Sequence, residues 1–187
     1  MKNKSKIQNP KSKIWGYTLI EVLVAITIFV IIIAGPTGFF VTSLIGQRKA
    51  LTSMEIADNI SYALEYVSRT LRMAKKDLAG VCILAGSNYQ NPDLDVSKIR
   101  FINYQELCQE FSLNSGQLGE TKSGQFLPLT PDDLEITLLK FQLSGETQGD
   151  DLQPRLTISF EIQKKGQPES KIRLQTTISQ RNLDFVY

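Results

Sequence analysis

The chain has 187 residues, enough for one globular domain and a separate anchoring segment. Its net charge of +2 is too small to indicate nucleic acid as the main partner, and no basic aromatic patch indicates one either. It contains no histidine, the commonest general base and metal ligand, and no nucleophile motif. Composition therefore argues against an enzyme, and we expect no catalytic residue, metal or cofactor.

A basic segment opens the chain. Residues 1–16 contain five lysines and no acid, whereas few positive charges closely follow the apolar block that comes next. The positive-inside bias predicts that this segment is cytoplasmic and that the C-terminus lies on the outer side of the membrane. The lysines are Lys2, Lys4, Lys6, Lys11 and Lys13.

An apolar run follows from Leu19 to Phe40. At about 1.5 Å per residue, a helix of this length crosses a ~30 Å hydrocarbon core. A secretory signal peptide fits poorly, because Pro36 directly follows the small residues that would precede cleavage. A plain signal anchor fits both the length and the charges. Pro36, with glycines on either side, is expected to weaken or kink the helix.

Glu21 stands alone as a carboxylate inside this apolar run. A carboxylate costs on the order of 2.5–3.5 kcal/mol at the bilayer centre and less near the interface. An interfacial carboxylate of no consequence is one interpretation. A functional residue with a specific partner is the other.

The residues from Gly16 to Ala25 read Gly-Tyr-Thr-Leu-Ile-Glu-Val-Leu-Val-Ala. With the basic leader before them and the apolar helix after them, they resemble the prepilin processing motif of type IV pilins and type II secretion pseudopilins. Tyr17 is a mild departure, since phenylalanine is usual after the glycine.

This resemblance implies a role for three residues. Gly16 is the last leader residue, cut by prepilin peptidase, and Tyr17 becomes the new, N-methylated terminus. Glu21 pairs with the N-terminal amine of a neighbouring subunit, which is protonated near neutral pH. The implied partners are prepilin peptidase, other pilin or pseudopilin subunits, an assembly-platform membrane protein and inner-membrane lipid.

The domain prediction follows from the change of pattern along the chain. We expect a leader over 1–16, a transmembrane and filament-core helix over 17–45, an amphipathic continuation over 46–80 and a globular domain over 81–187. In the continuation, apolar residues three or four apart predict one stripe, which in the family packs onto the C-terminal sheet. The stripe is Leu51, Met54, Ala57, Ile60, Leu64, Val67, Leu71, Ala74 and Leu78.

Beyond Gly80 the pattern changes to short β-prone runs separated by turn residues. We predict an α+β fold, with the long hydrophobic helix packed on one C-terminal antiparallel β-sheet. Residues 164–170 read as a hairpin loop, and residues 116–124 read as a plain flexible loop. The predicted strands are Val81–Ala85, Lys98–Tyr104, Cys108–Leu113, Leu134–Leu143, Leu156–Gln163 and Lys171–Ser179.

Cys82 and Cys108 are the only cysteines. Either they form a disulfide outside the cytoplasm, or they are two small buried thiols on neighbouring strands. Three acidic clusters lack the spacing and glycine of a calcium loop, which favours solvated loops. These clusters are Asp93/Asp95, Asp132/Asp133/Glu135 and Glu146/Asp150/Asp151.

Two C-terminal stretches look like those of larger minor pilins and pseudopilins: 129–141, and 153–159 with 174–182 closing the chain. With the arginine-bearing helix end at Arg69 and Arg72, they favour a minor subunit. The sequence leaves open whether the chain serves an adhesive or twitching pilus, type II secretion or DNA uptake. The alternative function is a single-span envelope protein with an extracytoplasmic binding domain that does not polymerise.

Overall fold

The computed structural model describes residues 16–145 and 152–181. One long helix, α1 (Leu19–Arg72), precedes a 3₁₀ turn at Pro92–Leu94 and the strands of two antiparallel sheets. The chain divides into two compact units, Met1–Gln47 and Arg48–Tyr187. The strands are β1 (Ile99–Ile102), β2 (Cys108–Asn114), β3 (Gln117–Lys122), β4 (Gln125–Pro128), β5 (Leu134–Ser144), β6 (Arg155–Lys164) and β7 (Gln167–Ser179). The predicted α+β layout is confirmed.

α1 continues through Pro36 without interruption. Proline lacks the N–H that would bond to the carbonyl of Ile32, so one helical hydrogen bond is lost there. One residue further on, the Thr37 hydroxyl donates to the carbonyl of Ile33 at 2.8 Å. The proline therefore costs the helix a bond but does not end it.

The second part of α1 buries a narrower stripe than the sequence predicted. Ile60, Val67 and Leu71 are buried as expected, whereas Leu51, Met54 and Leu78 are exposed. The buried row begins at Ile56 and follows steps of three and four residues. Its members are Ile56, Ile60, Ala63, Val67, Thr70 and Leu71.

The helix ends at Arg72, several residues before the predicted end near Gly80. Its last turn tightens, with the N–H of Met73 donating to the carbonyl of Thr70 at 3.2 Å. Lys75 then forms an antiparallel β-bridge with Ile102, the last residue of β1, so the chain at this point lies along the edge of the four-stranded sheet. The predicted helical continuation over 46–80 is therefore too long.

The segment Val81–Ala85 is a loop rather than the predicted strand. Its backbone N–H groups donate to the carboxylate of Asp77 instead of to a neighbouring strand. Each backbone N–H has one hydrogen to donate, so the N–H groups that bond to Asp77 are not available to pair with a neighbouring strand.

Two sheets replace the single sheet that was predicted, one ordered β1-β2-β3-β4 and one ordered β5-β6-β7. Residues 116–124 are not a plain loop, because β3 lies between two tight turns. Ser115 and Gly116 both have positive φ, as do Ser123 and Gly124, which is the backbone of type I′ hairpin turns. The predicted loop over 164–170 is also shorter, because β6 reaches Lys164 and β7 begins at Gln167.

The core lies between the second part of α1 and the inner faces of both sheets. β6 shows the alternation predicted from sequence, with four apolar side chains buried and the residues between them partly exposed. Those four are Leu156, Ile158, Phe160 and Ile162.

Candidate functional site at the start of the long helix

Thr18 caps the start of α1. Its Oγ1 accepts a hydrogen bond from the N–H of Glu21 at 3.3 Å. Its carbonyl accepts bonds from the N–H groups of Glu21 at 3.1 Å and Val22 at 3.2 Å. Thr18 is therefore the N-cap and Glu21 the third helical residue, which is the Thr-x-x-Glu spacing of a capping box. This cap was not predicted above, although the Thr-x-x-Glu spacing alone indicates it.

The Glu21 carboxylate is exposed and has no hydrogen-bond or ion-pair partner among the residues that the structure describes. A negative charge in the first turn of a helix interacts favourably with the helix dipole. Capping thus gives a local reason for an acid at this position. It does not supply the partner that a carboxylate needs in an apolar environment.

Tyr17 and Glu21 line one shallow apolar groove on the helix surface, together with Val22, Ala25, Ile26 and Phe29. Gly16 precedes them, exposed and outside any helix or strand, and Tyr17 is 82% exposed. The Gly16–Tyr17 bond is therefore open to another protein. The other leader residues, 1–15, lie outside the described part of the chain.

The apolar part of α1 is exposed over its whole length. By length and composition α1 is able to cross a membrane, and none of its most apolar window is buried within the chain. The hydroxyls of Thr27, Thr37 and Thr42 each donate to the carbonyl four residues earlier. Their polar groups are therefore satisfied inside the helix, as an apolar surrounding requires.

In the second unit, a disulfide joins Cys82 to Cys108, with their Cα atoms 5.4 Å apart. It links the loop after α1 to the start of β2. Of the sequence-predicted residues, Gly16, Tyr17 and Glu21 therefore lie together at one end of α1, and the two cysteines form a separate site.

Asp77 organises the same loop from within. Its side chain is 1% exposed, and its two oxygens accept the N–H groups of five successive residues, Ala79 to Ile83. These bonds, the one from Ile83 first and then the one from Cys82, lower the pKa of Asp77 from 3.8 to about 2, although burial opposes them. No sequence motif marked this residue, because its role depends on the fold of the loop.

A polar network on the four-stranded sheet was also missed. Glu120 is almost fully buried, and its Oε2 accepts bonds from the Tyr66 hydroxyl at 2.7 Å and from Gln109 Nε2 at 2.7 Å. Lys122 Nζ lies 3.0 Å from the same oxygen. Every polar partner here belongs to the chain itself, so the network ties α1 to the sheet.

Two of the three acidic clusters, Asp93/Asp95 and Asp132/Asp133/Glu135, lie within the described residues. Within residues 16–145 and 152–181, no group of three or more acids or cysteines could hold a metal ion. Asp95 instead accepts bonds from the backbone and hydroxyl of Ser97. Glu146, Asp150 and Asp151 lie outside the described residues.

The start of α1 matches a known family model. Residues 16–35 match the family model described as the prokaryotic N-terminal methylation motif. No curated protein and no solved structure matches the chain. The match covers the capped start of α1 and the first part of its apolar surface. With the long apolar helix, it supports a type IV pilin-like protein and fits a single-pass membrane anchor. The motif is typical of structural proteins rather than enzymes.

Proposed function

We propose that this chain is a minor pilin or pseudopilin. Prepilin peptidase removes residues 1–16 and methylates the new terminus at Tyr17. The segment 17–45 holds the protein in the inner membrane and then enters the core of a type IV pilus or type II secretion pseudopilus. The observation that carries the proposal is the exposed Gly16–Tyr17 junction, followed by Glu21 on an apolar helix, whose carboxylate has no partner among residues 16–145 and 152–181.

The chemistry of that junction supports assembly. Cleavage creates an amine at Tyr17, which directly precedes the helix cap and lies four residues before Glu21. Staggered copies of the helix bring the amine of one subunit to the carboxylate of the next. A buried ion pair of this kind adds little net stability but fixes the register between helices. Glu21 therefore serves recruitment and register.

The orientation of the protein rests on two observations. Five lysines precede the apolar helix, which favours a cytoplasmic N-terminus. The Cys82–Cys108 disulfide favours an oxidising, extracytoplasmic location for the second unit. An assembly-platform membrane protein and other pilin or pseudopilin subunits are the partners in this scheme. A minor rather than bulk subunit is favoured by the likeness of the C-terminal stretches to larger minor subunits.

The test compares two variants in cells that assemble the filament. Glu21→Gln removes the charge and keeps the size of the side chain, so we expect normal processing but at least tenfold less protein in sheared filaments. Thr18→Ala weakens the helix cap by about 1 kcal/mol and leaves the carboxylate in place. It is the matched control and should be incorporated nearly normally.

Incorporation is measured as the ratio of filament to membrane protein in immunoblots of fractionated cells. Equal loss in both variants would mean that Glu21 acts through the helix cap and not through an intermolecular pair. Normal incorporation of Glu21→Gln would refute the role assigned to the charge. A wild-type protein that keeps its leader and stays in the membrane would favour the single-span envelope protein instead.

A further inference from the structure

β7 has one edge that pairs with β6 and one edge that faces away from it. The N–H of Gln180, just beyond β7, donates to the carbonyl of Pro154 at 3.2 Å, which continues the β6–β7 ladder. Because hydrogen-bonded and non-hydrogen-bonded pairs alternate in an antiparallel ladder, even-numbered residues of β7 bond to β6. Odd-numbered residues direct their N–H and C=O groups outward. These are Arg173, Gln175, Thr177 and Ser179.

Arg181, the next odd-numbered residue, supports this assignment. Its N–H donates to the carbonyl of Arg72, the last residue of α1, at 2.9 Å. The outward direction at this end of β7 is therefore toward the C-terminus of the helix. One orphan carbonyl of α1 is satisfied in this way, and the open part of the edge stops at Ser179.

No hydrogen bond from any described residue reaches the outward backbone groups between Arg173 and Ser179. Other sheet margins are covered: β1 pairs with Lys75 and Gln90, and the N–H of Phe141 in β5 donates to the carbonyl of Val96. β4 is short and ends in Pro128. A long edge strand left open is a template for another strand.

The charges beside this edge indicate the charge of the partner that it binds. Lys171 and Arg173 share a single carboxylate, Glu161, on the outer face of the sheet. Beyond the edge, Arg72 and Arg181 line a groove with Glu65 and Arg69, which pair with each other. Arg72 and Arg181 form no ion pair with a described residue. Along β7, Lys171 and Arg173 are balanced by Glu161 and by Glu169 earlier in the strand, so the excess of positive charge lies at the end of the edge, at Arg72 and Arg181.

The inner face of β7 is apolar. Ile172 and Leu174 are half-buried and pack against the core, so part of each side chain remains uncovered. In an added antiparallel strand, residues opposite Ile172 and Leu174 lie on that apolar face. Residues opposite Lys171 and Arg173 lie on the charged outer face.

We propose that the outward edge of β7 binds an extended acidic segment of another polypeptide, which adds a fourth strand to the three-stranded sheet. The backbone row supplies affinity, and the two faces specify alternating apolar and acidic side chains. This inference does not depend on filament assembly, since it concerns only β6, β7 and the end of α1.

The probe is a capped peptide, Thr-Val-Thr-Val-Glu-Val-Glu, titrated into the full chain in detergent micelles. Amide hydrogen exchange should slow at Arg173, Gln175 and Thr177, and stay unchanged at Leu174 and Thr176, whose N–H groups already bond to β6. N-methylation of the glutamate opposite Arg173 should weaken binding about tenfold, since it removes an edge bond and adds a clash. N-methylation of the valine opposite Leu174 is the matched control and should have little effect.

A variant of the chain gives a second readout. Gln175→Pro removes an outward N–H but no bond to β6, and proline is tolerated on such edges. It should lower probe affinity about tenfold, whereas Gln175→Thr keeps the N–H and should bind normally. Fluorescence anisotropy with a labelled probe measures both.

Four results would overturn the proposal. The probe fails to bind the wild-type chain, or a version with lysines in place of both glutamates binds equally well. Faster exchange at the odd-numbered amides after deletion of residues 182–187 would mean that the chain's own tail covers the edge. A dimer that is detected by light scattering and abolished by Gln175→Pro would mean that a second copy of the chain occupies the edge.

Discussion

Two carboxylates in this chain have opposite surroundings. Asp77 is buried and accepts five backbone N–H groups, whereas Glu21 is exposed and has no partner among the described residues. A carboxylate that is fully hydrogen-bonded within its own chain has a structural role. One that is left without a partner beside apolar side chains needs a partner from outside. In our proposal, Asp77 therefore serves the stability of the second unit and Glu21 serves assembly.

Because of Asp77, the stability of the second unit decreases at acid pH. Its pKa is about 2 in the folded chain, against an ordinary value of 3.8. Between these values the unfolded chain binds more protons than the folded chain, so stability falls as pH drops from 3.8 toward 2 and is fully present above 3.8. Asp77→Asn should lower the melting temperature at pH 7, and the difference from wild type should shrink through this window.

The measurement is thermal unfolding of the second unit. It is monitored by circular dichroism on the full chain in detergent, at several pH values across that range. Asp132→Asn, at an exposed aspartate, is the control and should parallel the wild type. A difference between Asp77→Asn and the wild type that stays constant down to pH 2 would contradict the role of the ionised carboxylate.

At the scale of elements, the loop after α1 is fixed twice, by Asp77 from within and by the Cys82–Cys108 disulfide to β2. The sequence separation of 26 residues closes a moderate loop in the unfolded chain. Replacing both cysteines with serine should therefore cost about 3 kcal/mol of unfolding free energy. Urea unfolding of the full chain in detergent measures this cost.

Chemical reduction of the wild type should give nearly the same loss as the double serine variant. Since a reductant can act only through the disulfide, it should leave the variant unchanged. A reductant that destabilises both proteins equally would point to another cause. A loss much below 1 kcal/mol would mean that hydrogen bonds to Asp77 hold the loop without the bridge.

Elements with a strong periodic pattern could be predicted from the sequence, and those set by turns or loops could not. The alternation in Leu156–Ile162 identified β6 and its buried face. β3 was missed because Gly119 breaks its pattern, although Ser-Gly pairs on both sides mark tight turns. A Cβ at Gly119 would lie 2.7 Å from the carbonyl oxygen of Leu127, so the strands need a glycine there.

For the candidate site too, local motifs could be predicted from the sequence and contacts between distant residues could not. Roles for Gly16, Tyr17 and Glu21 could be predicted from the sequence because their motif is local and continuous, and these roles stay predictions. The capping role of Thr18 was equally local and was overlooked. The Tyr66–Glu120 bond joins residues 54 apart in sequence, and nothing before the fold indicates that they meet. The open edge of β7 likewise depends on the order of strands in the sheet.

At the scale of the whole molecule, the two units meet different physical requirements. In unit Met1–Gln47, the described part of α1 exposes its large apolar side chains, and the hydroxyls of Thr27, Thr37 and Thr42 bond within the helix. Such a surface requires lipid or other helices around it. Unit Arg48–Tyr187 buries a core of its own. In our proposal, the anchoring segment moves from the membrane to the filament after the leader has been removed.

The intact mass of the protein extracted from cell membranes tests this proposal most directly. It predicts a mature chain that begins at Tyr17, lacks residues 1–16 and carries one added methyl group. The same measurement after deletion of prepilin peptidase should return the full-length, unmethylated mass. A wild-type mass that still includes the five leader lysines would contradict processing, and with it assembly through a new amine and Glu21.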